Sequence, residues 1–399
     1  MGRCNPMRER LLSLDVFRGV TVALMILVNN PGSWNHLYAP LAHAAWHGCT
    51  PTDLVFPFFL FAVGNALALV MPGHRQGPAG AFWGKVLRRT LIIFALGLLL
   101  NAAPFVRWDA AGELAWRDWS QLRVMGVLQR IALAWGAAAA IVWLAGPGAA
   151  GTRRVLAVTT ALLVGYWGAC LAGGDAADPY SLAGWFGTAF DRALLGASHL
   201  YRGEGVPFDP EGLASTAPAI AQVLIGWWVG ERLREGGVSA TTVARLFVVA
   251  LGLAVAAYLW QLAMPVNKKI WTSSYVLLTS ALATALLAAL VHRLDLDPRR
   301  DRPVAAWVRF GQVFGMNALA VFVLSGLVPR LLGLVRWADG VDAQGLPLYL
   351  SPLPWLYRTV FATTAVDPRL GSLAYAVAHL AMYWALAAWL AHRRVFIRV

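Results

Sequence analysis

The sequence alternates long apolar runs with short polar segments, and several runs have the length of a membrane crossing. A helix needs about 17 to 25 apolar residues to cross the hydrocarbon core of a bilayer. Runs without any Asp, Glu, Lys or Arg are Leu54–Met71, Val155–Ala172, Thr272–Val291 and Leu373–Leu390. Less uniform runs extend the set of predicted helices to Leu11–Asn30, Asp53–Met71, Leu87–Ala103, Val124–Ala145, Val155–Ala172, Ser215–Val229, Val243–Leu262, Thr272–Val291, Val313–Leu332 and Leu373–Leu390. We therefore expect an all-α protein, a polytopic transmembrane helix bundle of about ten spans, in which residues 1–399 form a single domain.

Composition agrees with a membrane protein. Hydrophobic residues make up 59% of the chain and charged residues only 13%, whereas soluble domains average about 25% charged residues. The formal net charge of +13 would suggest a nucleic-acid partner in a soluble protein. Here the basic residues flank apolar runs, where lysine and arginine set the orientation in the membrane. The lipid bilayer is therefore an expected partner, and nucleic acid is not.

The basic residues also predict which loops face the cytoplasm, because short cytoplasmic loops carry the excess of Lys and Arg. With the N-terminus inside, the inner loops hold nearly twice as many basic residues as the outer ones. The basic C-terminal segment after His392 favours the inside as well, which requires an even number of spans. Leu346–Thr364, interrupted by Pro352, Pro354 and Arg358, is therefore expected to be a re-entrant or interfacial piece on the outer side.

The largest predicted outer loops are residues 173–214 and 334–370, the second of which contains that interfacial piece. The first loop is acidic, so it either attracts a cationic acceptor such as an amine or is merely solvated. Cys4, Cys49 and Cys170 are too widely spaced for a metal-ligand pattern or a disulfide framework. No metal is expected, and the oligomeric state is left open, a homodimer included.

A polar, histidine-rich hinge lies between the first two predicted helices. His36, His43 and His47 fall within it, beside aromatic residues and at the mouth of the apolar run that begins at Leu54. Histidine is the side chain whose ordinary pKa lies nearest to neutral pH. The hinge is therefore a candidate site, and on the predicted orientation it faces outward.

Two predicted helices carry charged residues that need a partner in a membrane. Asp15 and Arg18 are three residues apart and can pair on one helix face, either as an interface anchor or as the wall of a site for an anionic ligand. Gln129 and Arg130 lie one to two turns into the fourth helix. A guanidinium there faces a partner or a water-filled cavity, and it suits a carboxylate or a phosphate.

Two outer segments combine charged, amide and aromatic side chains just before a predicted span. Helix caps explain Ser215, Thr272 and Ser273. The remaining polar residues resemble a sugar site, in which a few polar groups and a flat ring act together. The candidate substrate-binding residues are Asp209, Glu211, Asn267, Lys268, Trp271 and His199.

Several stretches, in order along most of the chain, resemble the heparan-alpha-glucosaminide N-acetyltransferase family and its bacterial membrane relatives. They include Ser-Leu-Asp-Val-Phe-Arg-Gly, Val-Asn-Asn, His-Ala-Ala-Trp-His-Gly-Cys-Thr-Pro-Thr-Asp-Leu-Val-Phe-Pro-Phe-Phe, Gly-Val-Leu-Gln-Arg, Phe-Asp-Pro-Glu-Gly, Asn-Lys-Lys-Ile-Trp-Thr-Ser-Ser and Gly-Met-Asn. The resemblance implies that acetyl-CoA from the cytoplasm donates its acetyl group to the amine of a glucosamine on the far side of the membrane. It also implies that the catalytic histidine is His43 and that Asn29 is a second site residue. The lysosomal members carry an extra luminal domain that is not found here, so we expect a bacterial inner-membrane protein.

This activity makes simple physical demands, because a neutral amine must attack a thioester whose oxygen becomes negatively charged. His43 is expected to accept the proton, and Asn29 to donate a hydrogen bond to the oxygen. Asp53 either orients the imidazole or only caps the second helix. A route through an acetylated His43 is an alternative. The polyanionic donor requires cations, for which the candidates are Arg18, Arg88, Arg89 and Arg130, together with Gln129.

An amino-sugar or oligosaccharide permease is the alternative function, since it would use the same polar outer groups for binding without chemistry. Interrupted helices at matching positions in two halves of the chain would favour a permease. A non-catalytic scaffold would explain neither Arg130 nor the clustered histidines.

Overall fold

The computed structural model describes residues 11–109, 112–296 and 305–397. Cys4 and the basic residues of the first ten positions, which entered the charge comparison above, lie outside these ranges. The described chain is built almost entirely from helices, with two short β-hairpins.

The longer helices are α1 (Leu12–Asn29), α2 (Val55–His74), α3 (Ala79–Ala102), α4 (Val127–Ala145), α5 (Gly148–Gly173), α6 (Phe186–Leu195), α7 (Thr216–Gly236), α8 (Ala240–Trp260), α9 (Ser273–Leu290), α10 (Ala306–Met316), α11 (Ala318–Leu332) and, as α14, Pro368–His392. Two short helices, α12 (Pro352–Leu356) and α13 (Ala362–Thr364), precede the last one. The hairpins pair β1 (Val106–Trp108) with β2 (Leu114–Trp116) and β3 (Trp337–Val341) with β4 (Pro347–Leu350), both antiparallel.

Nine of the ten predicted spans coincide with a single helix, so the prediction of a mainly helical protein is confirmed. Within the described ranges, 7 helices are long and apolar enough to cross a membrane, or up to 8 when the bent pair α10 and α11 counts as one. Helices α3 and α7 fall outside this set. α3 carries three basic residues, Lys85, Arg88 and Arg89, and α7 ends in a charged turn.

The predicted span Val313–Leu332 is wrong as a single straight helix. The chain breaks at Asn317, and α10 and α11 meet at 79°. The Asn317 amide donates to the carbonyl of Val395 at 3.0 Å and accepts from the amide of Ile397 at 2.9 Å, which ties the break to the C-terminal segment. These bonds occupy the polar groups of the break, as the interior of a membrane protein requires.

The segment Leu346–Thr364 contains no helix of membrane length. It consists of β4, the short α12, a π-turn and α13, and Arg358 forms a forked ion pair with Asp339 of the hairpin at 2.5 and 2.7 Å. A compact piece beside the bundle agrees with the interpretation that this segment is not a further span.

Helix α2 is the centre of the bundle and packs most closely on α7. A Cβ atom added at Gly64 would lie 2.1 Å from the carbonyl oxygen of Val223, and one at Gly226 would lie 2.3 Å from the carbonyl oxygen of Phe61. Small residues let two helix backbones approach in this way. The most apolar window of α2 is 72% buried, against 28% for those of α5 and α8. The latter two helices therefore present most of their apolar surface outward.

Successive loops gather at two opposite ends of the bundle. The segments 30–54, 103–109, 112–126, 174–215, 261–272 and 333–367 meet at one end, which we call the histidine face. Contacts between Lys268 and His43 and between Arg123 and Asp209 join these segments. At the other end, which we call the opposite face, the amide of Leu12 donates to Asp295 at 3.0 Å. The predicted outer loops thus share one face, whereas α1 begins and α14 ends at the other.

Candidate active site

The hinge between α1 and α2 folds around the carboxylate of Asp53. One carboxylate oxygen of Asp53 lies 2.7 Å from Nδ1 of His43. The other accepts from the backbone amides of Ala44 at 3.1 Å and Thr50 at 3.0 Å. Thr50 and Asp53 form a capping box at the turn Pro51–Leu54 that leads into α2. Asp53 therefore does both things that were considered for it, since it caps the turn and holds the imidazole.

This arrangement leaves one reactive nitrogen on His43. The buried carboxylate of Asp53 accepts a hydrogen bond, so the proton of a neutral His43 ring lies on Nδ1 and points to Asp53. The lone pair of the ring is then on Nε2. Asp53 is only 1% exposed, while the His43 side chain is 40% exposed. The imidazole thus has one fixed edge and one edge open to the histidine face.

Residues 266–269, which we call the strap, run alongside the hinge. The strap belongs to the loop between α8 and α9, and four consecutive residues touch the hinge. The pairs are the Val266 carbonyl with the Gly48 amide at 2.7 Å, the Asn267 amide with His47 at 3.3 Å, the Lys268 ammonium with His43 at 3.0 Å and the Lys269 ammonium over the Trp46 ring at 5.7 Å. The strap therefore fixes the hinge along its length.

The turn after the strap is held by Trp271, which has a positive φ of 53° and is 1% exposed. Its ring packs edge-on against Phe56 and Tyr275, and the Arg130 guanidinium lies 5.0 Å from its centre. The hydroxyl of Tyr275 donates to the carbonyl oxygen of Asp53 at 2.5 Å. Packing from α4 and α9 thus supports the residue that holds His43.

Two of the predicted substrate-binding residues lie inside the protein in this structure. Trp271 is enclosed by other side chains and is 1% exposed. Asn267 is fully buried and its side chain accepts from the amide of Ile270 at 3.1 Å. Both residues shape the strap because their polar and aromatic groups are already occupied within the protein.

A second charged cluster lies beside the strap and centres on Arg123, just before α4. Its guanidinium binds Asp209 at 2.6 and 2.9 Å and Glu211 at 2.6 Å, and it lies over the ring of Tyr201. Burial opposes the charge of Arg123 most strongly, but the hydrogen bond and charges of Asp209 and Glu211 outweigh burial and raise the pKa of Arg123. Burial also opposes the charge of Glu211, and Arg123 nevertheless holds the pKa of Glu211 below its ordinary value.

Asn29 lies at the end of α1 and lines a cavity of about 430 Å³. The same cavity is lined by Arg123 and by polar residues of three other helices, Asn101, Gln129, Ser325 and Arg330. Arg123 therefore lies between this cavity and the acidic pair Asp209 and Glu211. His43 contacts Asp53 and Lys268, and it is not among the described residues that line the cavity of Asn29.

The predicted donor-binding residues fall into two groups. Arg18 pairs with Asp15 at 2.6 Å and lines a cavity of about 550 Å³ on the opposite face, together with Arg234. Arg89 lies 4.5 Å from the ring centre of Trp135, and Arg88 is exposed on α3.

Gln129 and Arg130 belong instead to the half of the bundle nearer the histidine face. Gln129 donates to the carbonyl of Val124 at 2.9 Å. Arg130 is completely buried and binds Ser215 and the carbonyl of Gly212. Arg130 therefore stabilises the loop before α7, and it does not lie in one group with Arg18 and Arg89.

The structure also places residues that the sequence did not mark as functional. Arg123, Tyr275 and Thr50 all contact the predicted site residues, although Arg123 looked like an ordinary loop charge. The predicted His199 donates from Nδ1 to the carbonyl of Leu122 at 2.7 Å, and so orders the segment before Arg123. Thr50 could have been found from the capping-box spacing to Asp53, whereas no local pattern marks Arg123 and Tyr275, because their partners are 86 and 222 residues away in the chain.

Comparison with known proteins shows the family to which the chain belongs. The family model described as heparan-alpha-glucosaminide N-acetyltransferase, catalytic, matches residues 10–246. The chain is 28% identical over 373 residues to the Homo sapiens heparan-alpha-glucosaminide N-acetyltransferase, which covers 80% of this chain and 53% of that protein. The Mus musculus protein of the same name is 27% identical over 368 residues, covering 79% and 53%. The chain spans about half the length of the curated relatives it matches.

Proposed function

Since this chain belongs to the family of heparan-alpha-glucosaminide N-acetyltransferase catalytic regions, we propose that it transfers an acetyl group from acetyl-CoA to the amine of a glucosamine-type sugar. The family match covers the hinge with His43 and Asp53, and the cluster of Arg123, Asp209 and Glu211. The bundle of apolar helices makes it a multi-pass membrane protein. An acetyltransferase in this setting has to bring a soluble thioester and an amine together at one end of the bundle.

The observation that carries the proposal is the pair formed by His43 and Asp53. A neutral imidazole held by a buried carboxylate is suited to accept a proton from an amine as the amine attacks a carbonyl carbon. Asp53 holds Nδ1, and the His43 side chain is 40% exposed.

For the donor, we propose entry from the opposite face. Arg18, Arg88 and Arg89 would hold the negatively charged part of acetyl-CoA, and the cavity lined by Arg18 has apolar walls as well. Gln129 and Asn29 share the second cavity nearer to the histidine face, where they are placed to bind the acetyl end. Acyl transfer is supported by such side-chain amide donors.

For the acceptor, we propose the histidine face. Asp209 and Glu211 are partly neutralised by Arg123, yet their acidic loop remains the cluster that suits an amine. Lys268 and His199 border the same region, whereas Asn267 and Trp271 support it from within.

Orientation and location are part of the proposal. The histidine face would be the outer, periplasmic side of a bacterial inner membrane, and both termini would be cytoplasmic, as the distribution of basic residues favours. The segments 173–214 and 334–370 would then be outer loops of one transmembrane domain spanning residues 1–399, and a homodimer would leave both faces accessible. Proteolysis of sealed vesicles of known orientation tests this arrangement.

The proposed activity is tested with purified protein in detergent, labelled acetyl-CoA and glucosamine. Wild type is expected to release CoA and form N-acetylglucosamine, whereas His43→Ala is expected to lose at least about 100-fold in kcat, because proton transfer by a positioned group contributes about 10²–10⁴. His36→Ala, which changes another exposed histidine of the same hinge, is the matched control and is expected to retain activity. An equal loss in both variants would contradict the role of His43.

The same protein in liposomes separates the proposal from a permease. A permease predicts uptake of labelled amino sugar without any release of CoA. Among the described residues, the sharp bend between α10 and α11 is one interruption, whereas the permease pattern requires a matching pair in two halves. The enzyme proposal would be wrong, and a permease favoured, if the wild type transfers no acetyl group and His43→Ala transports the sugar at the wild-type rate.

A further inference from the structure

Lys268 occupies a position that binding of a sugar does not explain. Its ammonium lies 3.0 Å from Nδ1 and 3.3 Å from Nε2 of His43, and 3.5 Å from the Asp53 carboxylate. The two ring nitrogens flank a single carbon, so an atom at these distances from both lies over the ring face and not in the ring plane. The in-plane lone pair of Nε2 therefore stays open to a substrate proton while a cation lies beside it.

From this geometry we infer that Lys268 is a catalytic residue, whose ammonium stabilises the negative charge that develops on the acetyl oxygen during transfer at His43. The inference rests on the proposed acetyltransferase function and deepens it. Donors aimed at the place where charge develops are commonly the largest single contribution to acyl transfer. The position of Lys268 matters for the following reason. An amine that gives its proton to Nε2 lies beside the acetyl carbon that it attacks. The oxygen of that acetyl group is then within reach of the Lys268 ammonium.

The strap fixes the backbone that carries this ammonium. Lys268 follows Val266, whose carbonyl accepts from the amide of Gly48, and Asn267, whose backbone amide donates to the Thr272 hydroxyl at 3.0 Å. The side chain of Lys268 is 20% exposed. A preorganised cation costs little reorganisation when the charge appears.

Charged groups around Lys268 explain how a buried cation is tolerated. Burial lowers the pKa of Lys268 from its ordinary value of 10.5, and the negative charges of Asp53 and Glu211 oppose that shift. His43 and Cys49 complete the titratable groups that face the ammonium from the hinge. Burial raises the pKa of Cys49 to about 12, so its thiol remains neutral and adds no competing charge near neutral pH.

The chemical step balances with these residues. The amine nitrogen forms a bond to the acetyl carbon, the carbonyl π electrons move to the oxygen, and an N–H of Lys268 donates to that oxygen. His43 accepts the amine proton at Nε2. When the carbonyl reforms, the carbon–sulfur bond breaks, and His43 returns the proton to the departing thiolate. Lys268 keeps all its protons throughout, so it acts by charge and hydrogen bonding alone.

The test compares Lys268→Met and Lys268→Arg in the purified full-length protein, with kcat and both KM values measured from pH 6 to about pH 10. Lys268→Met removes the charge at similar length, and kcat is expected to fall about 10²–10³-fold, the usual loss for one such donor, with KM values changing little. Lys268→Arg is expected to keep more activity. In the plot of kcat against pH, the activity of Lys268→Arg is expected to fall at a higher pH than that of wild type. The reason is that a guanidinium stays protonated at a pH where a lysine of lowered pKa does not.

Arg202→Met, which removes an exposed cation from the same face, controls for overall charge and is expected to leave kcat unchanged. A Lys268→Met protein that keeps kcat within threefold of wild type and raises only KM would show a binding residue and overturn the inference. An alkaline limb that is identical in wild type and Lys268→Arg overturns it as well, even if Lys268→Met does not fold. Failure of the wild type to transfer any acetyl group is distinguishable, because it overturns the proposed function and this inference together.

Discussion

Replacing Asp53 by Asn tests the central pair of the site with almost no change of shape. In the native protein, one oxygen of Asp53 accepts from Nδ1 of His43, and the other accepts from the amides of Ala44 and Thr50. An amide has only one oxygen to serve these two directions. In one orientation its NH₂ group faces two backbone donors, and in the other it faces Nδ1. The second orientation is satisfied only if the ring proton moves to Nε2, which closes the lone pair that the reaction needs.

The size of the effect follows from this change of tautomer. In catalytic triads the equivalent substitution of the orienting Asp lowers kcat by about 10⁴. In this protein Lys268 also loses its anionic partner, 3.5 Å away, while the strap still holds the ring. We expect a loss of about 10²–10⁴-fold in kcat, which corresponds to about 3–5 kcal/mol of transition-state stabilisation.

The assay is the initial rate of N-acetylglucosamine formation at saturating acetyl-CoA, together with the thermal unfolding midpoint in the same detergent. Asp178→Asn is the matched control, because the exposed Asp178 also binds a backbone amide, that of Tyr180 at 3.0 Å, without touching a histidine. A folded Asp53→Asn protein with more than a tenth of the wild-type kcat would refute the argument that Asp53 sets the tautomer of His43.

Two further predictions concern the scaffold. Gly64→Ala is expected to lower the free energy of unfolding by about 1–3 kcal/mol, because the new Cβ would lie 2.1 Å from the Val223 carbonyl oxygen and 2.6 Å from the Trp227 nitrogen. Gly165→Ala, whose Cβ meets nothing within 4 Å, is the control. Equal unfolding midpoints for the two variants would contradict this packing. Burial raises the pKa of Asp191 from 3.8 to about 6, so the folded state binds the proton more tightly than the unfolded state, and stability falls as pH rises from about 4 to 6, by about 3 kcal/mol in all. Asp191→Asn is expected to remove that dependence in unfolding measurements between pH 4 and 7, and an unchanged pH slope would count against it.

The positions of the helices could be predicted from the sequence because the membrane imposes a simple requirement. Each crossing has to satisfy its backbone groups internally and present apolar side chains to lipid, which leaves a long apolar run in the chain. The break at Asn317 could not be predicted in this way. Its side chain is satisfied by Val395 and Ile397, and only the folded chain brings those residues to it.

Part of the site was visible in the sequence as well. The hinge stood out through its histidines, the resemblance to a family selected His43, and a capping signal marked Asp53 at the start of α2. These features are local, since His43 and Asp53 are separated by 10 residues and their contact needs only one turn.

The tertiary structure alone decided the surroundings of that pair. In the folded chain Trp271 and Asn267, which the sequence had suggested as sugar-binding residues, are buried. Arg130 lies apart from Arg18, although the sequence had suggested both as residues that bind the donor. The tertiary structure also brought Lys268 over the ring of His43, although 225 residues separate them in the chain. A hydrophobic pattern records which residues must leave water, but it holds no information on which charges meet at a helix end. That meeting depends on how closely α2, α7 and α9 pack, and only the folded bundle sets those distances.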